Sequence, residues 1–132
     1  SEQDVTLYLA HGDEGRLIPV PTRLRQTGIV SMAELIVRYL LRDPGTNGIG
    51  TRIPVGTQLN AVTVSEGICY VDLSAQYLNS PENLRWAGRV IAASLCPLPD
   101  VEQVQILIDG DFPEDFERSW FGPLRPSSDW FL

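Results

Sequence analysis

The chain has 132 residues, of which 43% are hydrophobic and 20% charged. That is the balance of one soluble globular domain and excludes disorder over the whole length. Seventeen Asp and Glu stand against ten Arg and no Lys, a formal net charge of −7. Such a chain is a poor ligand for nucleic acid or for an anionic membrane surface, where neutralising phosphate supplies most of the affinity.

Surface scaling predicts roughly 6,900 Å² exposed when folded against about 21,000 Å² unfolded, enough burial for one core without a metal or disulfide scaffold. No apolar run approaches the roughly 20 residues that span a bilayer. The chain opens at Ser1, and the expectation is a trimmed or mature fragment whose targeting segment lies elsewhere.

Val5, Leu7 and Leu9 alternate with Thr6 and Tyr8, the period of a strand. Gly12, Asp13 and Gly15 make a polar turn. Residues 17–24 read as a second strand, and Pro19 and Pro21 put it at a sheet edge because neither donates to a ladder. Ser31 and Glu34 form a capping-box pattern. Met32, Leu35, Ile36, Tyr39 and Leu40 then share one helical face, and Pro44 and Gly45 stop the helix.

Residues 46–56 read as loop. Its glycines Gly45, Gly48, Gly50 and Gly56 suit a flexible connector. A phosphate cradle would need a Lys before a helix, and the chain has no Lys. Residues 59–64 and 68–73 are two strands around Glu66-Gly67, a tight hairpin turn. A second helix begins with Ser80 as N-cap and Pro81 in first position, buries Leu84, Ala87, Val90, Ile91, Ser94 and Leu95, and ends at Pro97 and Pro99. Trp86 lies beside that stripe, half-packed. Val104, Ile106 and Ile108 alternate as a last strand.

The predicted fold class is α+β: a two-layer α/β sandwich in the order β-β-α-β-β-α-β. It has one mixed sheet of about five strands with both helices on one face. No repeat at solenoid periods is evident. The domain is expected to cover residues 4–110, with 111–132 an irregular aromatic and acidic tail packed on the same domain.

These elements carry a family resemblance. Val5-Thr6-Leu7-Tyr8, Leu17-Ile18-Pro19-Val20, the helix over 33–41, Gly48-Ile49, Ile53-Pro54-Val55-Gly56-Thr57, Val71-Asp72-Leu73-Ser74 and the run 104–110 resemble, in order and spacing, the GerM domain family of sporulation and spore germination. The resemblance implies a ring-building-type α/β module, extracytoplasmic and often on a lipoprotein. Such a module serves protein–protein assembly in the cell envelope, with no assigned catalytic residue, metal or cofactor. Two departures stand out: a single such domain where some members carry two, and a tail rich in Trp.

The residues also suggest sites of their own. Trp120, Phe121, Trp130 and Phe131 are large aromatics in the tail, readable as core cover or as a contact surface for peptidoglycan or a protein partner. A nucleophilic triad would need Ser74, Asp72 and the sole His11 to converge; the simpler reading is that Asp72 and Ser74 hydrogen-bond the loop leading to the second helix. Asp109, Asp111, Glu114, Asp115 and Glu117 form an acidic loop, more simply solvated than calcium-binding or hydrolytic.

Cys69 and Cys96 are a candidate disulfide. The strand from Cys69 climbs about 17 Å and the following helix returns about 22 Å, so the two end at similar heights, and a bridge needs Cα atoms within about 7 Å. The alternative is two buried thiols acting as small apolar groups. The function expected is a non-enzymatic, extracytoplasmic assembly module, from self-association or envelope protein partners. The alternatives are a glycan-binding module or, less favoured, a wall hydrolase.

Overall fold

The computed structural model describes residues 1–43, 45 and 48–132. Among the described residues the chain forms six strands and two α-helices: β1 (Glu2–His11), β2 (Arg16–Arg25), α1 (Met32–Leu40), β3 (Ile49–Gly50), β4 (Leu59–Ser65), β5 (Ile68–Leu73), α2 (Leu84–Leu95) and β6 (Gln103–Ile108). The exposed surface is 7,320 Å², close to the expectation for a chain of this size.

The expected single sheet is two sheets of three strands, ordered β2-β1-β3 and β4-β5-β6. The first is antiparallel throughout. In the second, β4 and β5 are antiparallel, while β5 and β6 run parallel with α2 as their crossover. The division has a local cause. Helix α2 packs on β1 as well as on β6. The Tyr8 N–H of β1 donates to Ser94 Oγ of α2 at 3.0 Å, so a helix occupies the edge where further strand pairing would have joined the sheets.

Pairing of His11 with Arg16 leaves a four-residue turn between β1 and β2. Ser65 pairs with Ile68, and Glu66 (φ 52°) and Gly67 (φ 83°) form the two-residue turn between them with both residues left-handed, as a primed hairpin turn requires. The short β3 lies inside the segment read from sequence as loop. Pro44 and Thr46 lie outside the described residues.

In α1, Ser31 caps as expected, its Oγ accepting from Glu34 N at 3.1 Å. The reciprocal half of the box is replaced by an ion pair, Glu34 Oε2 with Arg38 Nε at 2.8 Å. The buried stripe is Ala33, Ile36, Val37 and Leu40, rotated from the predicted one; Met32, Leu35 and Tyr39 are half-buried along its border. The rotation follows from the seat of α1 on both α2 and β4, which centres burial on the smaller side chains. Before α2 the chain runs through two short 3₁₀ turns, Ala75–Asn79 and Pro81–Asn83, and Ser80 makes no side-chain cap. Helix α2 is the centre of the core: nine of its residues, including Gly88 and Ser94, are buried.

The tail continues the sheets rather than hanging from them. Leu124 exchanges backbone hydrogen bonds with Val104, and Ile106 N donates to Phe121 O at 2.7 Å, closing the outer edge of β6. The chain then passes to the other sheet, where Phe131 bridges Leu17 and Leu132 N donates to Leu17 O at 2.9 Å on the outer edge of β2. At these positions the edges no longer offer free backbone groups to another chain.

Candidate functional site: an arginine–tryptophan cleft

Between α2 and the tail lies a cleft of about 420 Å³ lined by Arg85, Arg89, Glu117, Ser119, Trp120, Leu124 and Trp130. The two arginines are spaced i, i+4 on α2 and so project side by side. The Arg85 guanidinium lies over the rings of Trp86 and Trp120, each at 5.8 Å. The Arg89 guanidinium lies over Trp86 at 5.1 Å and Trp130 at 5.4 Å. All three tryptophans of the chain are therefore engaged with one pair of cations. Each such contact stabilises by about 0.5–1 kcal/mol at a wet site and more when desolvated.

Two glycines allow this packing. Gly15, in the β1–β2 turn, has φ +66°, and a Cβ there would stand 2.7 Å from the Trp86 ring. Gly88 faces the tail, and a Cβ on it would stand 2.5 Å from the Trp120 carbonyl oxygen. A glycine in a helix interior costs about 1 kcal/mol relative to Ala; here it lets the tail backbone close on α2.

Like charges at i, i+4 repel, and among the described residues neither Arg85 nor Arg89 forms an ion pair or a side-chain hydrogen bond. Burial lowers the pKa of Arg89, opposed by nearby Asp129 and reinforced by Arg85; the Arg89 guanidinium stays charged at neutral pH. Asp129 is held below the usual carboxylate range chiefly by the Ser127 hydroxyl, with Arg89 and Arg16 contributing. Ser119 Oγ donates to Glu117 Oε1 at 3.1 Å on the cleft wall. The cleft thus offers guanidinium N–H donors set over indole rings.

The aromatic residues picked out from the sequence divide. Trp120 and Trp130 meet in the cleft, Trp120 half-buried and Trp130 8% exposed. Phe121, 1% exposed, is inside the core against Tyr77, so it presents no surface. Phe131 lies edge-on to Tyr8, ring centres 5.3 Å apart. Cys69 and Cys96, considered as a disulfide pair, are free thiols. Burial first, then the neighbouring Cys96, pushes the Cys69 thiol up to about 12. Burial pushes Cys96 up to about 11, against a lowering effect of Arg125.

The other constellations do not assemble. Ser74 Oγ accepts from Gln58 N at 2.9 Å, and Asp72 Oδ1 accepts from Gly110 N at 2.9 Å and from Asn60 Nδ2. Both therefore hold loops, while His11 sits at the end of β1 between Arg16 and Ile49. Asp109 Oδ1 also accepts from Asn60. Among the described residues no three His, Cys, Asp or Glu side chains gather as metal ligands. Arg85 and Arg89 were missed from sequence; the usable signal was a like-charged i, i+4 pair flanking a Trp, where Arg38 by contrast faces Glu34.

The family model for Germane, described as sporulation and spore germination, matches residues 6–114. The chain belongs to the Germane family. Its fold is that of a GerM-type domain. The first GerMN domain of the sporulation protein GerM from Bacillus subtilis superposes with a TM-score of 0.68 at 21% identity, covering 83% of this chain and 84% of that one. The tandem GerMN domains of the same protein give the same score and identity, with 40% of that chain covered. A Clostridium perfringens protein described as a lipoprotein matches with a TM-score of 0.55 at 18% identity, over 86% of this chain and 78% of that one. A comparison with curated proteins finds no match. The Germane match ends at residue 114, so the tail half of the cleft, from Glu117 to Trp130, lies beyond it.

Proposed function

We propose that this Germane domain is a non-enzymatic recognition module of the bacterial envelope, acting outside the cytoplasm in sporulation or germination assemblies, with the arginine–tryptophan cleft as its contact face. The observation that carries the reading is the pair of guanidiniums set over tryptophan rings with no salt bridge to an acidic side chain of the described residues. Arginine and tryptophan are enriched among the residues that dominate the energetics of protein contacts, and a planar guanidinium loses less freedom for each hydrogen bond it forms. Family membership supports the process, and the likeness to a lipoprotein supports the extracytoplasmic location. With the tail paired along β6 and at Leu17 of β2, recognition by strand addition is disfavoured at those positions.

The test is a photo-crosslinking residue placed at exposed Ser119 on the cleft wall in the producing cells, which leaves both arginines in place, compared with one at exposed Val55. Crosslinks to a defined envelope protein, or to a second copy, from position 119 alone support the reading. Equal labelling from both positions, or none from 119, removes it. A second reading, peptidoglycan binding, draws on the same tryptophans. Pelleting with purified sacculi that is lost on Trp120→Ala would favour it.

A further inference from the structure

Resting on that reading, we infer that the cleft takes a single peptide carboxylate: an acidic side chain or chain end of a protein partner. Three observations converge. First, Arg85 and Arg89 present N–H donors that no carboxylate of the described residues occupies. A planar guanidinium grips a carboxylate through two parallel hydrogen bonds.

Second, the local charge favours the smallest anion. Glu117 on the wall and Asp129, close enough to act on Arg89, balance the two guanidiniums without forming a salt bridge to either. In a chain of net charge −7, a polyanion or a doubly charged phosphate meets more repulsion than a monoanion does.

Third, each indole already has a guanidinium over its ring, and Trp86 also has Gly15 against it. A sugar ring stacking on those same faces would have to displace the cations. A carboxylate needs only the edges of the guanidiniums. A volume of about 420 Å³ accommodates an acidic side chain or chain end with its neighbouring residues.

The experiment uses the intrinsic fluorescence of the three tryptophans, all of which touch Arg85 or Arg89. The probes are N-acetyl-Ala-Glu-Ala-amide, its Gln counterpart, inorganic phosphate, and a muropeptide with free or amidated stem carboxylates. The expected result is a saturable response to the Glu peptide with a Kd of about 1 mM, the range of a small polar contact. The Gln peptide should bind at least tenfold more weakly, and so should the Glu peptide to Arg85→Gln/Arg89→Gln protein of unchanged circular dichroism. Should that double variant fold poorly, Arg85→Lys keeps the charge and tests the fork alone, with the same direction of loss.

Equal responses to Glu and Gln peptides, no saturable response, or tighter binding of phosphate would overturn the inference. So would muropeptide binding indifferent to amidation, which would assign the cleft to sugar. Crosslinking from position 119 is scored separately. Its success alongside a failed peptide titration would discard the carboxylate and keep the recognition surface.

Discussion

The hydroxyl of Ser94, in the last turn of α2, accepts the backbone N–H of Tyr8 in β1 across 3.0 Å. The contact is 86 residues long in sequence and sits on the β1 edge that β3 joins only at Ala10 and His11. A helix side chain there satisfies a strand donor that would otherwise be buried unpaired or paired with another strand. It is the hinge of the architecture: with it, the strands divide into two sheets that share α2.

Replacing Ser94 with Ala leaves the Tyr8 N–H without its partner at a site where Ser94 is 2% exposed. The expected cost is about 1–3 kcal/mol, the penalty for an orphaned buried donor. A urea unfolding curve reads it as a lower midpoint at unchanged slope. A midpoint unchanged from wild type would show that water reaches Tyr8 instead.

Gly88→Ala tests how closely the tail approaches the helix. Helix propensity alone favours Ala by about 1 kcal/mol. The new methyl would meet the Trp120 carbonyl at 2.5 Å, and that backbone is tied by the adjacent Phe121 O to Ile106 N bond. Overpacking costs about 1–3 kcal/mol and should prevail. The variant should be destabilised and its tryptophan emission shifted to the red, as Trp120 and Trp130 lose their cover. A stabilised variant would mean the tail is readily displaced.

Two phenylalanines of the tail should behave oppositely. Phe121 is 1% exposed and packs on Tyr77 and Phe116; Phe121→Ala should cost about 3–5 kcal/mol. Phe112 is 59% exposed, and Phe112→Ala should stay within about 0.5 kcal/mol of wild type. Thermal melts of the two variants side by side check both. Comparable melting points would mean the tail adds nothing to the core.

The thiols make stability fall in alkali. Each folded thiol titrates above its ordinary value of 9.0, Cys69 near 12 and Cys96 near 11. Between pH 9 and those values the folded chain keeps protons that the unfolded chain releases, so stability is full below pH 9 and is lost as pH rises. The slope should approach roughly 1.4 kcal/mol per pH unit for each thiol, with buried Tyr77, also raised by burial, adding to it above pH 10. Urea midpoints at pH 8, 9 and 10 should decline less steeply in Cys69→Ala than in wild type. The same protonation should keep both thiols slow toward a disulfide reagent at pH 8; rapid labelling of the native protein would contradict it.

Local patterning reached the strands because side-chain alternation depends on neighbours two apart, and it reached the cap of α1 because Ser31 and Glu34 are three apart; it misplaced the start of α2, where Ser80 makes no side-chain cap. It also placed β2 at an edge through Pro19 and Pro21. It missed β3, two residues long and set among glycines, because no periodicity exists in so short a strand. It also misjudged the face of α1, since a hydrophobic stripe there is broad and the choice of centre is made by what α1 packs on.

The sequence by itself determined the class of domain, the acidic net charge and the GerM-family resemblance, since each is a property of composition or of short ordered motifs. The tertiary structure decided that the strands form two sheets and that the tail pairs with β6 and with Leu17 of β2. It also brought Arg85 and Arg89 to Trp120 and Trp130, the contact on which the proposed function rests. Those residues stand 31 to 45 positions apart, on a helix and an irregular tail, and no periodic signal links them. Only the approach permitted by Gly88, and the backbone bonds of Phe121, Leu124 and Leu132, make them one site.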